Sequence, residues 1–387
     1  MKVLHIISSG GMYGAEAVIL NISRSLNKGP HCSILGVFAN SSNPNLQLYE
    51  AATKEGIESY AISCKGQIDG SAVAKIRELA VRTGVDIVHA HGFKADIYVF
   101  LALRAPEIPY ISTCHTWYDN DLLVRLYGVV DRYVLRRYTR VVAVSDEVKQ
   151  RLLKAGVREK NIELVKNGID VRLFDDAFPS IRGEICSDHV PIVGLVGRLS
   201  KEKGIDIFLR AVTQILVEFP TAMFVVVGEG PDRSTLEELI DDLKIRKNVL
   251  MLGHRDNMPS VYASLDVMVS SSRQEGLPIA ILEGMASRLP LVATAVGAVP
   301  TVVLDGCTGI VVPAENPSLL AAGIKALLLD PSKRARFGAA ARKLIEDEFS
   351  AERMTSDYLS IYESIKMEGS YHRGKQPRTI SGIKLPL

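Results

Sequence analysis

Apolar positions along the chain fall into short unbroken runs, separated by stretches in which they recur at the three-to-four-residue spacing of a half-buried helix. In the first half the runs are KVLHIIS, CSILGVFA, ESYAIS, DIVHAH, PYISTC, RVVAVS and NIELVKN. Stretches such as AEAVILNISRSL and AVAKIRELAVRTG lie between them. Strands that are apolar throughout, alternating with helices, predict a parallel sheet covered on both faces. The pattern lapses into polar, irregular sequence over residues 171–190, read as a linker. A second series then follows: PIVGLVG, AMFVVVG, NVLMLG, DVMVSS, LVATA and GIVVP.

The economical architecture is α/β, with two Rossmann-like, doubly wound parallel-sheet domains over residues 1–170 and 191–350. A last helix over 351–367 is expected to pack back on the first domain. Residues 368–387, rich in Gly, Lys, Arg and Pro, read as a disordered tail. Open parallel sheets bind ligands beyond the carboxyl ends of their strands. Two such domains facing each other would therefore place their working residues in loops on either side of one cleft.

Composition narrows this reading only slightly. The chain has 387 residues, 47% hydrophobic and 23% charged, enough for two ordinary cores. A formal charge of +2 supplies no global attraction to nucleic acid. Five cysteines without paired spacing suggest neither a disulfide framework nor a zinc site, which fits a reducing, cytoplasmic setting. The start, MKVLHIISSGG, is too short and too broken by His5 for a signal peptide. The longest uncharged run, Leu289 to Leu304, is shorter than the ~20 residues of a membrane span, so none is expected.

The loop-and-helix segment SSSRQEGLPIAILEGMAS, Ser270 to Ser287, carries the strongest chemical signal. Pro278 suits a helix's first turn. Glu275 precedes the helix and Glu283 lies on its second turn. The N–H groups of Gly276, Leu277 and Ile279 are left at a positive helix end, suited to a phosphate or sugar oxygen. Acid capping by Glu275 with a solvated Glu283 is the plainer alternative.

This E-x7-E arrangement resembles that of the retaining glycosyltransferases of family 4, which have the two-domain GT-B fold, and the likeness extends to about Met367. The resemblance implies that Glu283 holds the ribose hydroxyls of a nucleotide-sugar donor. It implies that Glu275 binds the transferred sugar. In GLVGRLSKEKGID, Arg198 and Lys203 correspond to the residues that grip the donor diphosphate, while Lys201 is expected to be exposed. Gly228 and Gly230 of VVVGEGPDRSTLEEL are expected to let the backbone approach the donor nucleotide, and LGHRDNMPSVY to face its base.

SSGGMYGAE imitates a dinucleotide fingerprint. Ser9 replaces its first glycine, however, and no acid ends the second strand. As a family loop, its Gly10, Gly11 and Gly14 would reach over the cleft toward donor phosphate and acceptor, with Glu16 stabilising the helix start. His115, in ISTCHTWYDND, stands where the family often places a histidine near the transferred sugar; the alternative is a structural loop histidine.

Asp119 to Asp121 (DND) imitates a metal-binding D-x-D, but it follows an aromatic loop rather than ending an apolar strand and can cap the next helix. His89 and His91 share one strand face and could in principle bind a metal, but two ligands without a third nearby read better as a buried or cleft-edge pair. No metal or cofactor is therefore expected, the nucleotide sugar being a substrate. VGAVPTVV departs from the family's Gly-Gly-x-Pro-Glu at Ala298 and Thr301, which touches donor details rather than class.

The expected activity is transfer of a hexose-type sugar from a nucleoside diphosphate to a hydroxyl acceptor with retention, in polysaccharide or glycolipid synthesis. UDP, GDP and ADP donors all stay open. A same-fold epimerase, a silent nucleotide-sugar binding protein and an NAD-type oxidoreductase are the rivals. Finally, residues 121–140 hold five arginines against two aspartates with aromatics interleaved. They suit peripheral contact with an anionic membrane or an ordinary solvated basic helix.

Overall fold

The computed structural model describes residues 1–12, 14–41, 44–66, 69–103, 108–114, 122–185 and 190–373. The apolar runs form strands as expected. The first sheet comprises β1 (Lys2–Ile7), β2 (Cys32–Asn40), β3 (Glu58–Cys64), β4 (Ile87–His91), β5 (Tyr110–Cys114), β6 (Arg140–Ala143) and β7 (Ile162–Leu164), in the order β3-β2-β1-β4-β5-β6-β7. The second comprises β8 (Ile192–Val196), β9 (Met223–Val227), β10 (Val249–Gly253), β11 (Val267–Ser270), β12 (Leu291–Thr294) and β13 (Gly309–Val312), in the order β10-β9-β8-β11-β12-β13. Every pairing is parallel. This is the two-domain GT-B architecture.

Both sheets reverse their winding direction, between β1 and β4 and between β8 and β11. At such a switch point the loops diverge and leave a crevice at the strands' carboxyl ends. The Gly-rich loop follows β1. The Lys203 and Glu275 loops follow β8 and β11, neighbours across the second reversal.

β1 is buried from Val3 onward, because helices cover both faces. Val3 packs with Val18, Ile22 and Leu26 of the helix Gly14–Lys28, while Leu4 and Ile6 join the core on the other face. The final helix, expected over 351–367, runs Ala351–Arg373, and Glu368 pairs with Arg140 of the first lobe. Residues 374–387 lie outside the described residues. The helix buries Met354, Tyr358 and Tyr362 in the core that contains Val3 and the helix Gly14–Lys28.

The chain therefore crosses between lobes twice, and the crossings touch. Ile169 N–H donates to Phe349 O at 2.9 Å and Ala351 N–H to Ile169 O at 2.8 Å. Residues beyond Asp170 pack on the second lobe. Phe174 lies 6.1 Å from Tyr262 ring to ring, Ile181 N–H donates to Ser264 Oγ, and Arg182 pairs with Asp266 at 2.9 Å. Among the described residues, no helix is long and apolar enough to cross a membrane.

Candidate functional site

At the second reversal the loops after β8 and β11 are tied together. Ser271 Oγ donates to Gly204 O at 2.8 Å, and Arg273 N–H donates to Glu202 O at 2.7 Å. Arg273 braces the junction with both nitrogens of its fork on Asp206 (2.7 and 2.8 Å) and a further bond to Lys201 O. Its pKa is raised by the Asp206 hydrogen bonds. This arginine sits within the segment Ser270 to Ser287 but braces the scaffold.

The brace brings Lys203 and Glu275 into contact. Lys203 Nζ lies 2.7 Å from Glu275 Oε1, and Ser272 Oγ donates to the same oxygen at 2.6 Å. Glu275 is 7% exposed, so its charge depends on these donors. A pair of this kind adds little net stability, since desolvation offsets attraction, but it fixes two side chains in one place. Arg198 lies near the start of the loop that carries Lys203. It is exposed and, among the described residues, makes no ion pair.

Gly228 and Gly230 lie where two loop backbones meet. Gly228 has φ of +136°, and a Cβ there would lie 2.0 Å from Gly197 O; at Gly230 it would lie 2.2 Å from Leu199 O. Leu199 N–H donates to Glu229 O at 3.0 Å. These glycines let the loop after β9 stack directly on the Arg198 loop, backbone against backbone. They shape the crevice wall by close packing.

The helix beyond Glu275 spans Ile279–Ala286, with Pro278 extended at the cap position (φ −73°, ψ 123°) rather than inside the first turn. Leu277 and Ile279 are buried and Gly276 is half-buried. The first lobe meets this helix tip twice. Asn167 Nδ2 donates to Leu277 O at 3.3 Å, and a Cβ on Gly14 would come within 3.0 Å of Ile279 Cγ1. Glycine at position 14 thus permits the Gly-rich loop to lie close against the helix Ile279–Ala286. Within that loop, Gly11 N–H donates to Ser9 Oγ, which lies 2.9 Å from the buried Glu16 carboxylate.

Glu283 accepts a 2.8 Å hydrogen bond from Tyr262 OH. Its pKa is pushed up to about 7 by burial, against the opposing pull of the tyrosine. Tyr262 comes from LGHRDNMPSVY, expected to face the base; its ring is fully buried. Ala298 N–H donates to Gly276 O at 3.1 Å, so the loop that departs from the family pattern rests on the site. Glu147 of the first lobe comes within 3.3 Å of where a Cβ on Gly297 would stand.

Asn167, Ser272 and Tyr262 were not singled out from the sequence. Only Ser272, three residues before Glu275, carried a local signal, as a hydroxyl adjoining a buried acid. His115 and Asp119 to Asp121 lie outside the described residues.

His89 and His91 do have a third partner. Parallel pairing sets His5 of β1 opposite His89 of β4, and the three buried rings have ligand atoms within 4.8 Å of one another. His5 Nδ1 lies 3.0 Å from His91 Nε2, while His89 Nδ1 and Nε2 lie 2.8 and 2.7 Å from Tyr362 OH and Thr113 Oγ1. Burial pushes His5 down to about 3, so it is neutral. Both nitrogens of His89 are thus engaged in a polar seam under the final helix, while the buried His5 Nε2 has no hydrogen-bond partner among the described residues.

Two family descriptions fit the chain: Glycosyltransferase Family 4 over residues 12–173 and Glycosyl transferases group 1 over residues 182–344. The N-acetyl-alpha-D-glucosaminyl L-malate synthase of Bacillus anthracis is 27% identical over 332 residues, covering 83% of this chain and 85% of its own. The alpha-D-kanosaminyltransferase of Streptomyces kanamyceticus is 29% identical over 308 residues, 75% of this chain and 78% of its own. The solved structure of Anabaena Alr3699/HepE with UDP and glucose superposes with a TM-score of 0.84 at 22% identity. It covers 94% of this chain and 100% of that one.

Proposed function

Since the chain belongs to the family 4 glycosyltransferases of GT-B fold, we propose that this glycosyltransferase moves a hexose-type sugar from a nucleoside diphosphate to a hydroxyl acceptor with retained configuration. The reaction needs no metal or cofactor in this reading. The acceptor belongs to polysaccharide or glycolipid synthesis. The contact that carries the reading is Lys203 on Glu275, with Arg198, which makes no ion pair among the described residues, on the same loop as Lys203.

Lys203 and Glu275 each hold the other. A diphosphate arriving on the loop after β8 gives Lys203 a stronger anionic partner, and Arg198 completes the clamp. Glu275, still held by Ser272, then has an oxygen available for the hydroxyls of the sugar. As the bond from the anomeric carbon to the diphosphate oxygen breaks, the two cations stabilise the charge that develops on the leaving group. Such help is worth ~3 kcal/mol per group.

The acceptor oxygen bonds to the same face of that carbon, and its proton passes to the departing phosphate. Glu283, when ionised, accepts hydrogen bonds from ribose hydroxyls. His115 takes the place near the transferred sugar that the resemblance implies. Closure of the Gly14 loop on Ile279 excludes water.

UDP is the nucleotide to test first, because HepE has been solved with UDP and UDP-glucose. Thermal shift of the purified protein against UDP, GDP, ADP and their sugars identifies the donor. A ligand at a hundred times its Kd stabilises by about 2.7 kcal/mol. Labelled sugar appearing on an acceptor with the donor's anomeric configuration supports the proposal. Epimerised or merely bound nucleotide sugar overturns it.

A further inference from the structure

The helix Leu122–Leu135 begins after β5, at the cleft edge of the first sheet, and runs roughly 21 Å toward the opposite edge. Its composition is basic, with one acid, Asp131, among its described side chains. That acid is buried, 1% exposed, beside Asp96 in the lobe interior. Burial and the neighbouring Asp131 carboxylate push Asp96 well above the usual carboxylate range. Asp131 is thus directed into the lobe rather than onto the exposed face.

What remains outside is apolar and cationic. Val129, Val130 and Tyr133 are 56%, 41% and 55% exposed, large values for residues of this kind on one helix. Just beyond the helix, Arg136, Arg137 and Arg158 line a surface cavity of ≈ 630 Å³ together with Asn161. Among the described residues no acid pairs with any of these three arginines. Arg140, by contrast, is neutralised by Glu163 and Glu368, and the nearby Glu159 faces Lys149 at 3.7 Å. Arg136 Nε is anchored on Ala155 O at 2.7 Å, and Arg137 lies over the Tyr133 ring at 5.6 Å. The cations are held in place beside the apolar stripe.

We propose that this face docks the enzyme on an anionic lipid bilayer. Val129, Val130 and Tyr133 enter the headgroup boundary, and Arg136, Arg137 and Arg158 bind lipid phosphates. The charge complementarity is direct, since guanidinium forks match phosphate oxygens in pairs. A soluble polyanion would satisfy the arginines but leave the valines in water. A bilayer interface satisfies both, and apolar burial with electrostatic attraction is how interfacial helices bind. The proposal stands apart from the transfer reaction and is tested without substrate.

The test is sedimentation of the full chain with phosphatidylcholine vesicles, with and without about a third phosphatidylglycerol. Partitioning at least ~10-fold stronger onto the anionic vesicles is expected, weakening as salt is raised. Each arginine removed should cost about fivefold, so Arg136→Ala/Arg137→Ala/Arg158→Ala should lose about a hundredfold. Arg158→Glu, an exposed single change, repeats the test if the triple variant folds poorly. Val129→Ser/Tyr133→Ser should lose vesicle binding while keeping any binding to soluble heparin. Equal partitioning onto both vesicle types overturns the proposal, as does unchanged binding by the arginine variants or by the serine pair.

Discussion

The two lobes share a strand order but bury their polar groups in different places. In the first lobe, His5 and His89 lie within strands at the middle of the sheet, with Asp96 and Asp131 on covering helices. In the second, strand interiors are apolar. The buried Ser271, Ser272 and Glu275 lie in the loop just past the carboxyl end of β11. Polar groups in mid-sheet can only bond to one another and to the helix above them. Polar groups at a sheet's edge can exchange a protein partner for a ligand. The histidines of the first lobe are thus closed in on the protein, whereas Glu275 and its neighbours lie at the sheet edge where open parallel sheets take their ligands.

The largest expected effect tests the second half of that contrast. Glu275→Ala or Lys203→Ala should lower the transfer rate by about a hundredfold or more, measured with labelled donor. Each single change strands a charge, so the double variant should be about as stable as the better single one. Transfer that survives both substitutions would remove the site.

His89→Ala tests the first half. Losing a buried ring with bonds to Tyr362 and Thr113 should cost roughly 2–4 kcal/mol in urea unfolding and leave the nucleotide Kd within about twofold. A large change in Kd without loss of stability would reverse the assignment of roles.

Glu283 sharpens the comparison through pH. Its carboxyl, at about 7 in the free protein, must ionise to accept ribose hydroxyls. Nucleotide affinity should therefore rise about tenfold between pH 6 and pH 8, and Glu283→Gln should flatten the profile. The sign for stability is opposite. A carboxyl whose pKa is raised by folding makes the folded state the better proton holder. This contribution is favourable below the unfolded pKa and is lost as pH climbs to about 7. The smallest effect belongs to Tyr262→Phe. Removing a donor to Glu283 should raise the carboxyl further and weaken nucleotide binding a few-fold at neutral pH, read by calorimetry.

The strands were legible because a parallel sheet covered on both faces demands unbroken apolar runs, and β1 to β13 coincide with those runs. The Glu275 and Glu283 spacing was legible because it is local to one loop and helix. The Lys203–Glu275 contact was not: it spans 72 positions and exists only because β8 and β11 are neighbours across a winding reversal. The same holds for His5, whose place beside His89 follows from strand register rather than spacing. The backbone stacked on Gly228 and Gly230 comes from a loop about thirty residues earlier in the chain, so spacing alone does not reveal it. Pro278 was placed one position too far into its helix, a difference within the fraying of helix ends.

The return of the helix Ala351–Arg373 to the first lobe means that the order of segments along the polypeptide is not the order of folding units. A fragment ending near Asp170 would be born without its own lid and would expose the tyrosine-facing side of its sheet. Splicing that last helix directly after the first lobe should yield a soluble half, whereas clipping it from the full protein should unravel the half to which it is not adjacent in the gene.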